Sequence, residues 1–468
     1  MGSVDQFPFS LEQQFLRLQH ENDGSAGGFG PRPISSGGWR VTGPFDRAKF
    51  EQALGDVVTR HEALRTTIVS DADGWRQEIQ PPGPPAVVYR DLADSSGRSH
   101  QDLAEEFLNE VESGTFDMTQ VPNLWVHIGR LNDQDHVVVL VSHLPIVDVW
   151  SLSLVMRDSV ELYAARLDGR KPEMPEPTPY REYVARQHDE SGEAKAQPSY
   201  QFWRDDLRGA RPITLPTDHP PSGAGPSGTR CDRFSIDAEL GSAALEFARS
   251  MRCSPFMVLF AAYRVHLLGA TGMTDGVVWT LSSGPGRRRR WMENTVGYFV
   301  NLYPLRTDIA DCKTFRDVVT RVRQTSLAAF KHEIPFVRLV AEAAEAIGEL
   351  EQGDQITERA RPGFQMSPNP YVLREQTSGG VGCVAVQRRV SQRVGPDIPD
   401  DAILWTVELG PSGELIFAIN SSIDRFDQST MDAMQADFRN VLSAGVHDPD
   451  TPLSEMPAGM SLAARRES

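Results

Sequence analysis

The sequence predicts a mixed α/β fold, with mixed sheets, built as two lobes. Three observations carry that expectation. The 468 residues exceed what one hydrophobic core usually organises. Helical and strand-like periodicities alternate along the chain, so helices and sheets interleave rather than segregate. A stretch at 171–179, KPEMPEPTP, interrupts the pattern and reads as a stiff linker. The expected division is 1–175 for an N-terminal lobe, 176–229 for a proline-rich linker and crossover, and 230–468 for a C-terminal lobe.

The elements follow in order. Leu11, Phe15 and Leu18 recur at helical spacing, with Ser10 as N-cap. Residues 22–38 are rich in Gly, Ser and Pro and are expected to form a loop. Phe45, Phe50, Leu54, Val57 and Val58 mark an amphipathic helix that ends near Arg60–Thr66, and Thr67–Val69 reads as extended. A helix is expected over 100–112. Leu124–Leu131 and His136–Val141 suggest a hairpin turning at Asn132 and Asp133, with a helix after Trp150. A short helical piece is expected around Tyr200–Leu207, inside the linker, before the breaker-rich 216–229. Further on, 238–269 reads as one long helical region, followed by strands at 276–282 and Val296–Leu305 and a helix over Thr314–Phe330. Leu404–Glu408 and Glu414–Asn420 pair across Pro411–Gly413, and a last helix covers 427–444. No internal repeat is evident.

Composition excludes several functions. With 64 acidic and 47 basic residues the net charge is −17, which offers no general field for nucleic acid. The dense basic run Arg287–Arg290 reads either as a solvated loop or as a local anion or carboxylate clamp. Cys231, Cys253, Cys312 and Cys383 form no CxxC pair, which argues against zinc and suits a reducing cytoplasm. The N-terminus lacks the basic start and apolar core of a signal peptide. The apolar run 137–156 is interrupted by His143, Pro145 and Asp148, so a buried strand, turn and helix is expected instead of a membrane span. A cytoplasmic protein without nucleic-acid, membrane, metal or cofactor requirements is the expectation.

Chemistry concentrates at Val137–Trp150, VVVLVSHLPIVDVW. A His and an Asp in so apolar a segment are costly unless paired or used. His143 and Asp148 are the candidate catalytic residues. Their flanks carry a family resemblance. SLEQQFLRLQ (Ser10–Gln19), GPFDRAKFEQALGDVVTRHEALRTTI (Gly43–Ile68) and SHLPIVDVWS (Ser142–Ser151) resemble, in order, motifs of the condensation domains of nonribosomal peptide synthesis. So do YREYVARQ, FWRDDLRGA and LPTD between Tyr180 and Asp218, then VGYFVNLYPLR (Val296–Arg306), HEIPFVRLV (His332–Val340) and FQMSPNPY (Phe364–Tyr371).

The resemblance implies two chloramphenicol-acetyltransferase-like lobes in a V with a central tunnel. It implies acyl or peptidyl carrier proteins that deliver thioesters, and acyl transfer beside an HHxxxDGxS signature. Phosphopantetheine arrives on the carrier, so no resident cofactor is implied. The signature Asp, here Asp148, typically pairs with an Arg, for which Arg287 or a neighbour in its run is the candidate. Ser142, Leu144, Val149 and Trp150 fall on the signature, and Tyr298 and Asn301 on a later motif, so all six are expected along the substrate tunnel.

The departure lies inside the signature. His143 occupies the first His position, but the second, catalytic position is Leu144, and the signature Gly is Val149. Leucine cannot accept a proton, and a positioned base typically contributes roughly 10²–10⁴ in rate. Proximity alone can supply about 7–11 kcal/mol, so a templating enzyme remains physically possible. Two functions follow. The first is a free-standing condensation enzyme of natural-product or antibiotic biosynthesis, meeting a carrier protein in trans and acylating an amine or alcohol, or running a diverged reaction such as cyclisation. The second is an inactive docking module that recruits a synthetase, a carrier protein or a tailoring enzyme. A discrete protein needs some contribution of its own, which favours the first.

Overall fold

The computed structural model describes residues 5–23, 34–71, 74–93, 97–190, 193–221, 228–352, 359–367, 376–392, 398–410 and 412–457. The chain sorts into two compact units. One comprises Met1–Gly192, Ser283–Asn301 and Pro368–Arg388; the other comprises Glu193–Ser282, Leu302–Ser367 and Arg389–Ser468. Two stretches from the second half of the sequence therefore pack within the first unit.

The first unit is built on a six-stranded sheet ordered Gln376–Ser378, Val381–Ala385, Ile34–Thr42, Asp135–His143, Trp125–Asn132 and Ala86–Asp91. The last pair is parallel and the others are antiparallel. Every residue of Asp135–His143 is buried, and the period of two explains its unbroken apolar run. Val138 and Leu140 enter one core with the helices Arg47–Arg60 and Val149–Asp168. Val137, Val139 and Val141 enter another core with the helix His100–Glu112.

Of the loop expected over 22–38, positions 24–33 lie outside the described residues. From Ile34 onward the segment is a strand, with neighbours on both sides. The breaker residues are there for packing: a Cβ on Gly37 would stand 2.5 Å from the Trp39 ring. A small sheet of Asp5–Phe7, Gly74–Ile79 and Thr66–Asp71 lies in the same unit.

The second unit carries a sheet ordered Asn301–Arg306, Val277–Ser282, Arg359–Met366, Ala402–Leu409, Leu415–Ser422 and Thr229–Ile236, with Leu215–Pro216 beside Arg359–Met366. The single helical region expected over 238–269 is two helices, Ala238–Ser250 and Pro255–Thr271. Arg252 at φ 51° ends the first, and Pro255 in the first turn starts the second. The linker region is more ordered than its prolines suggest, with helices Tyr180–Glu190 and Glu193–Asp206. Among the described residues no single helix is long and apolar enough to cross a membrane.

A repeat invisible in the sequence emerges from the backbone. Strand Asp135–His143, cap Asp148 and the 20-residue helix Val149–Asp168 correspond to strand Leu415–Ser422, cap position Asp427 and the 20-residue helix Gln428–His447. The two copies cap differently. Asp148 caps its own helix, whereas in the second copy Asp218 of LPTD accepts from the Asp427 N–H at 2.8 Å and the Thr430 hydroxyl at 3.0 Å. The first copy thus uses its own carboxylate at the helix end, whereas Asp427 makes no side-chain cap bond and Asp218 ties the cap residue and Thr430 down from a loop.

Candidate functional site

Strand Asp135–His143 ends in a turn where the His143 carbonyl accepts from the N–H groups of Ile146 (3.0 Å) and Val147 (3.1 Å). Asp148 follows in extended backbone, and its Oδ1 accepts from Ser151 N at 2.7 Å, which satisfies one open donor of the helix start. The first helix, Leu11–Asp23, holds the turn from the side. Gln13 Nε2 donates to the Pro145 carbonyl at 2.7 Å, while Ser10 Oγ accepts from Gln13 N at 3.1 Å.

Asp148 is also the centre of a buried network. Arg287 places Nη2 3.2 Å from its Oδ1, with 3% of each side chain exposed. Arg287 further donates to Ser151 Oγ and to the Thr295 carbonyl, each at 2.5 Å. Asp148 Oδ2 accepts from Phe299 N at 3.1 Å. Ser151 Oγ donates to the Gly297 carbonyl at 2.7 Å and accepts from Gly297 N at 3.0 Å. These bonds explain why the strand expected from Val296 begins only at Asn301: the N–H groups of Gly297 and Phe299 are taken by the signature instead of a sheet. Burial pulls the Arg287 guanidinium below its ordinary pKa, and the Asp148 carboxylate opposes that loss.

Close approach demands glycine at two points of the segment Ser283–Asn301. Gly284 has φ 79°, and a Cβ there would stand 1.8 Å from the Phe299 carbonyl oxygen. At Gly297 it would stand 2.1 Å from the Tyr180 ring. Around Phe299 an aromatic layer forms. Tyr183 and Tyr180 rings lie 4.8 and 5.3 Å away, and the Arg287 guanidinium sits 4.1 Å from the Phe299 ring centre.

Behind that layer lies a residue the sequence reading missed, Glu12, which is 1% exposed. It accepts from the Tyr183 hydroxyl and from Gln187 Nε2, both at 2.9 Å. Burial pushes its carboxyl up to about 7 despite those donors. The available signal was an acid between Leu11 and Leu16 on the buried face of its helix. A second carboxylate, Asp158, binds His61 (3.0 Å), Arg60 (2.9 Å) and Arg157 (2.7 Å), which ties helix Arg47–Arg60 to helix Val149–Asp168. Burial would raise Asp158, but the His61 and Arg157 contacts outweigh it and hold the carboxyl at about 2. His61 and Arg60 thus serve the fold.

The expected site residues separate into frame and surface. Asp148, Arg287 and His143 are buried, His143 with 5% exposed. Tyr298 and Asn301, expected along a substrate path, are 3% and 1% exposed. Ser142 is likewise fully buried and donates to the Asn123 carbonyl at 2.7 Å. What remains at the surface is apolar. Val149 is 44% exposed, and Leu144 and Trp150 are partly exposed. None of these three side chains can take a proton at neutral pH.

The model of the Condensation domain family matches residues 36–351, and this chain belongs to that family. It is 30% identical over 433 residues to a linear gramicidin synthase of Brevibacillus parabrevis and 27% identical over 438 residues to cyclosporin synthetase of Tolypocladium inflatum. Those alignments cover 90% and 92% of this chain but only 8% and 3% of the relatives. Among solved structures, SgcC5 from Streptomyces globisporus, in complex with (R)-(-)-1-(2-naphthyl)-1,2-ethanediol and sucrose, is 40% identical with a TM-score of 0.87, covering 95% of this chain and all of that one. The X-domain from teicoplanin biosynthesis, 23% identical with a TM-score of 0.71, covers 97% of this chain and 98% of that one and shares the fold. The protein is thus a condensation-domain family member with a mixed α/β fold built on mixed sheets, the fold it shares with solved condensation domains.

Proposed function

We propose that this protein transfers an acyl group from a carrier-bound thioester to the hydroxyl of an aryl-bearing alcohol. The observation that carries the reading is the intact frame around Asp148, Arg287, Ser151 and Gly297, held at the signature while position 144 is apolar. A frame that fixes the strand end and the helix start fixes the substrate's surroundings, and approximation of this kind can contribute about 7–11 kcal/mol. SgcC5, 40% identical, was solved with an aryl vicinal diol, and the partly exposed apolar side chains Leu144, Val149 and Trp150 at the signature are compatible with an aryl group.

The step balances simply. The alcohol oxygen attacks the thioester carbonyl, the C–O bond forms, the C–S bond breaks, and the hydroxyl proton ends on the released thiol. In a vicinal diol the second hydroxyl can hydrogen-bond the attacking one, which supplies part of what an imidazole at position 144 would do. Phosphopantetheine is the carrier's group and passes with it. The experiment is incubation of the purified protein with an acyl N-acetylcysteamine thioester and the naphthyl ethanediol. Ester formation above the protein-free rate supports the reading, and a rate equal to it contradicts the reading.

Leu144 itself favours a second reading, a docking module without chemistry. The teicoplanin X-domain was solved in complex with OxyB. On that reading this protein would hold a tailoring enzyme beside a carrier-bound substrate. Capture of such an enzyme by a protein inert toward thioesters would support it.

A further inference from the structure

Two adjacent residues at the start of helix Leu11–Asp23 reach the signature by different routes. Gln13, fully buried, holds the turn directly. Its Nε2 donates to the Pro145 carbonyl at 2.7 Å and to Gln77 Oε1 at 2.9 Å. Its Oε1 accepts from Gln77 Nε2 at 3.0 Å and from Ser10 N at 2.9 Å. Four bonds thus fix one amide against the carbonyl next to Leu144.

Glu12 reaches the aromatic layer instead. Its Oε1 accepts from Tyr183 and from Gln187 Nε2, and its Oε2 accepts from Gln187 Nε2 at 3.0 Å. Gln187 also accepts from Leu11 N at 2.7 Å and donates to the Tyr183 hydroxyl at 3.0 Å. One glutamine therefore grips both the helix start and the carboxyl. Tyr183 packs on Phe299, whose N–H donates to Asp148. Every side chain that donates to Glu12 is neutral, and among the described residues no cation pairs with it. Burial of that carboxyl favours its neutral form and pushes it up to about 7. A proton on Glu12 turns an acceptor into a donor, and the Tyr183 oxygen is the acceptor beside it. The Tyr183 hydroxyl then has to turn, and the Gln187 bonds rearrange with it.

We infer that Glu12 is a proton-operated positioning residue: its protonation state sets how firmly helix Leu11–Asp23 holds the turn at Leu144 and Pro145. The neutral form holds it more firmly, because ionisation strands a charge among neutral donors at the helix start. Applied to rate, the inference rests on the acyl-transfer reading; applied to the turn, it stands without it. The titratable and charged groups facing this cluster come from three elements. They are Tyr180 and Tyr183 of helix Tyr180–Glu190, Arg287, Arg289 and Tyr298 of Ser283–Asn301, and Asp148 of the signature. Burial raises all three tyrosines, so they keep their protons through neutral pH. Two imidazoles also lie near, His143 at the turn and His188, whose Nε2 is 2.9 Å from the Phe9 carbonyl. The test therefore removes the Glu12 proton alone.

The test is hydrogen exchange by mass spectrometry on the whole protein, corrected for intrinsic exchange, from about pH 5.5 to about pH 8.5. Wild type is compared with Glu12→Gln, which keeps the shape and stays neutral, and with Tyr183→Phe, which keeps the ring on Phe299. In wild type, protection of 144–152 is expected to fall about fivefold or more as pH rises through about 7, while helix Arg47–Arg60 of the same unit changes less than about twofold. Glu12→Gln keeps the low-pH protection throughout. Tyr183→Phe removes a donor to the charged form, so its fall moves to higher pH. A fall shared equally by helix Arg47–Arg60 makes Glu12 a matter of global stability, and a fall that persists in Glu12→Gln belongs to His143 or His188. Either result overturns the inference, as does protection that ignores pH. The same proteins are assayed with the N-acetylcysteamine thioester and the naphthyl ethanediol. The ratio of wild-type to Glu12→Gln rates is expected to fall with the protection, and a flat ratio beside a falling protection overturns the positioning role. Absence of activity in every protein fails the acyl-transfer reading, and the exchange result still decides what Glu12 does to the turn.

Discussion

Arg287 Nη2 stands 3.2 Å from Asp148 Oδ1, with both side chains almost wholly buried. Residues 139 apart in sequence are joined there, inside one unit. Removing one partner of a buried pair leaves an uncompensated charge, which typically costs about 3–5 kcal/mol. Asp148→Ala also removes the acceptor for Ser151 N, worth roughly another 1 kcal/mol. Urea unfolding is expected to show Asp148→Ala strongly destabilised and Asp148→Asn less so, because the amide oxygen can still cap. A loss below about 1 kcal/mol for Asp148→Ala would show that the pair does not hold the frame.

The glycines of the segment Ser283–Asn301 give a second check. Gly284→Ala and Gly297→Ala force contacts of 1.8 and 2.1 Å, so each is expected to lower the unfolding midpoint and to impair the Arg287 placement. Gly55, in the middle of helix Arg47–Arg60, provides the contrast, because a Cβ added there meets nothing within 4 Å. Gly55→Ala is expected to stabilise by roughly 0.5–1 kcal/mol. Equal behaviour of all three variants in thermal melts would contradict the packing argument.

Glu12 sets a pH dependence. Its folded pKa of about 7 lies above the ordinary carboxyl value of 4.5. Between those values the folded chain holds a proton that the unfolded chain releases, so this group's contribution is fully present below 4.5 and declines as pH rises to about 7. The decline is of the order of 3 kcal/mol. Asp158 acts in the opposite sense: held at about 2, below 3.8, its contribution is present above 3.8 and lost as pH falls toward 2. Denaturation of Glu12→Gln across pH 4–8 should lack most of the wild-type decline. A curve parallel to wild type would show that Glu12 is not the titrating group.

Position 144 separates framing from proton transfer. Leu144→His introduces a group that titrates near pH 6.5, and a positioned imidazole typically contributes roughly 10²–10⁴ in rate. Ester formation is expected to rise and to acquire a pH dependence in that range, while Leu144→Ala stays within a few-fold of wild type. A rate unchanged by Leu144→His would mean that the residue does not face the reacting groups.

Much of this was legible in the sequence, for definable reasons. The helices Arg47–Arg60, His100–Glu112 and Val149–Asp168 announce themselves because one face is apolar at helical spacing. The pairing of Asp148 was reachable because the family resemblance implies an Arg partner for the signature Asp, with Arg287 or a neighbour in its run as the candidate. Other features were hidden because their causes are non-local. Ile34–Gly38, at the end of the loop expected over 22–38, belongs to a strand, Ile34–Thr42, that two neighbouring strands pair with. Segment 296–300 looks like a strand until side chains of the signature take its N–H groups. Glu12 carries only a weak local mark, its place beside Leu11 and Leu16, because the partners that bury it, Tyr183 and Gln187, come from another helix. Ser142 was placed on the substrate path by motif alone, and nothing local announces that its hydroxyl donates to the Asn123 carbonyl from a distant segment.

If an intact frame with leucine at position 144 still transfers an acyl group, the carrier must be unloaded by this protein. Intact-mass spectrometry of an acyl-loaded holo carrier protein, incubated with this protein and the naphthyl ethanediol, reads that event. The carrier is expected to lose the mass of its acyl group in step with the appearance of the ester. A carrier that keeps its acyl group over many turnover times, while this protein stably captures a tailoring enzyme, would contradict acyl transfer.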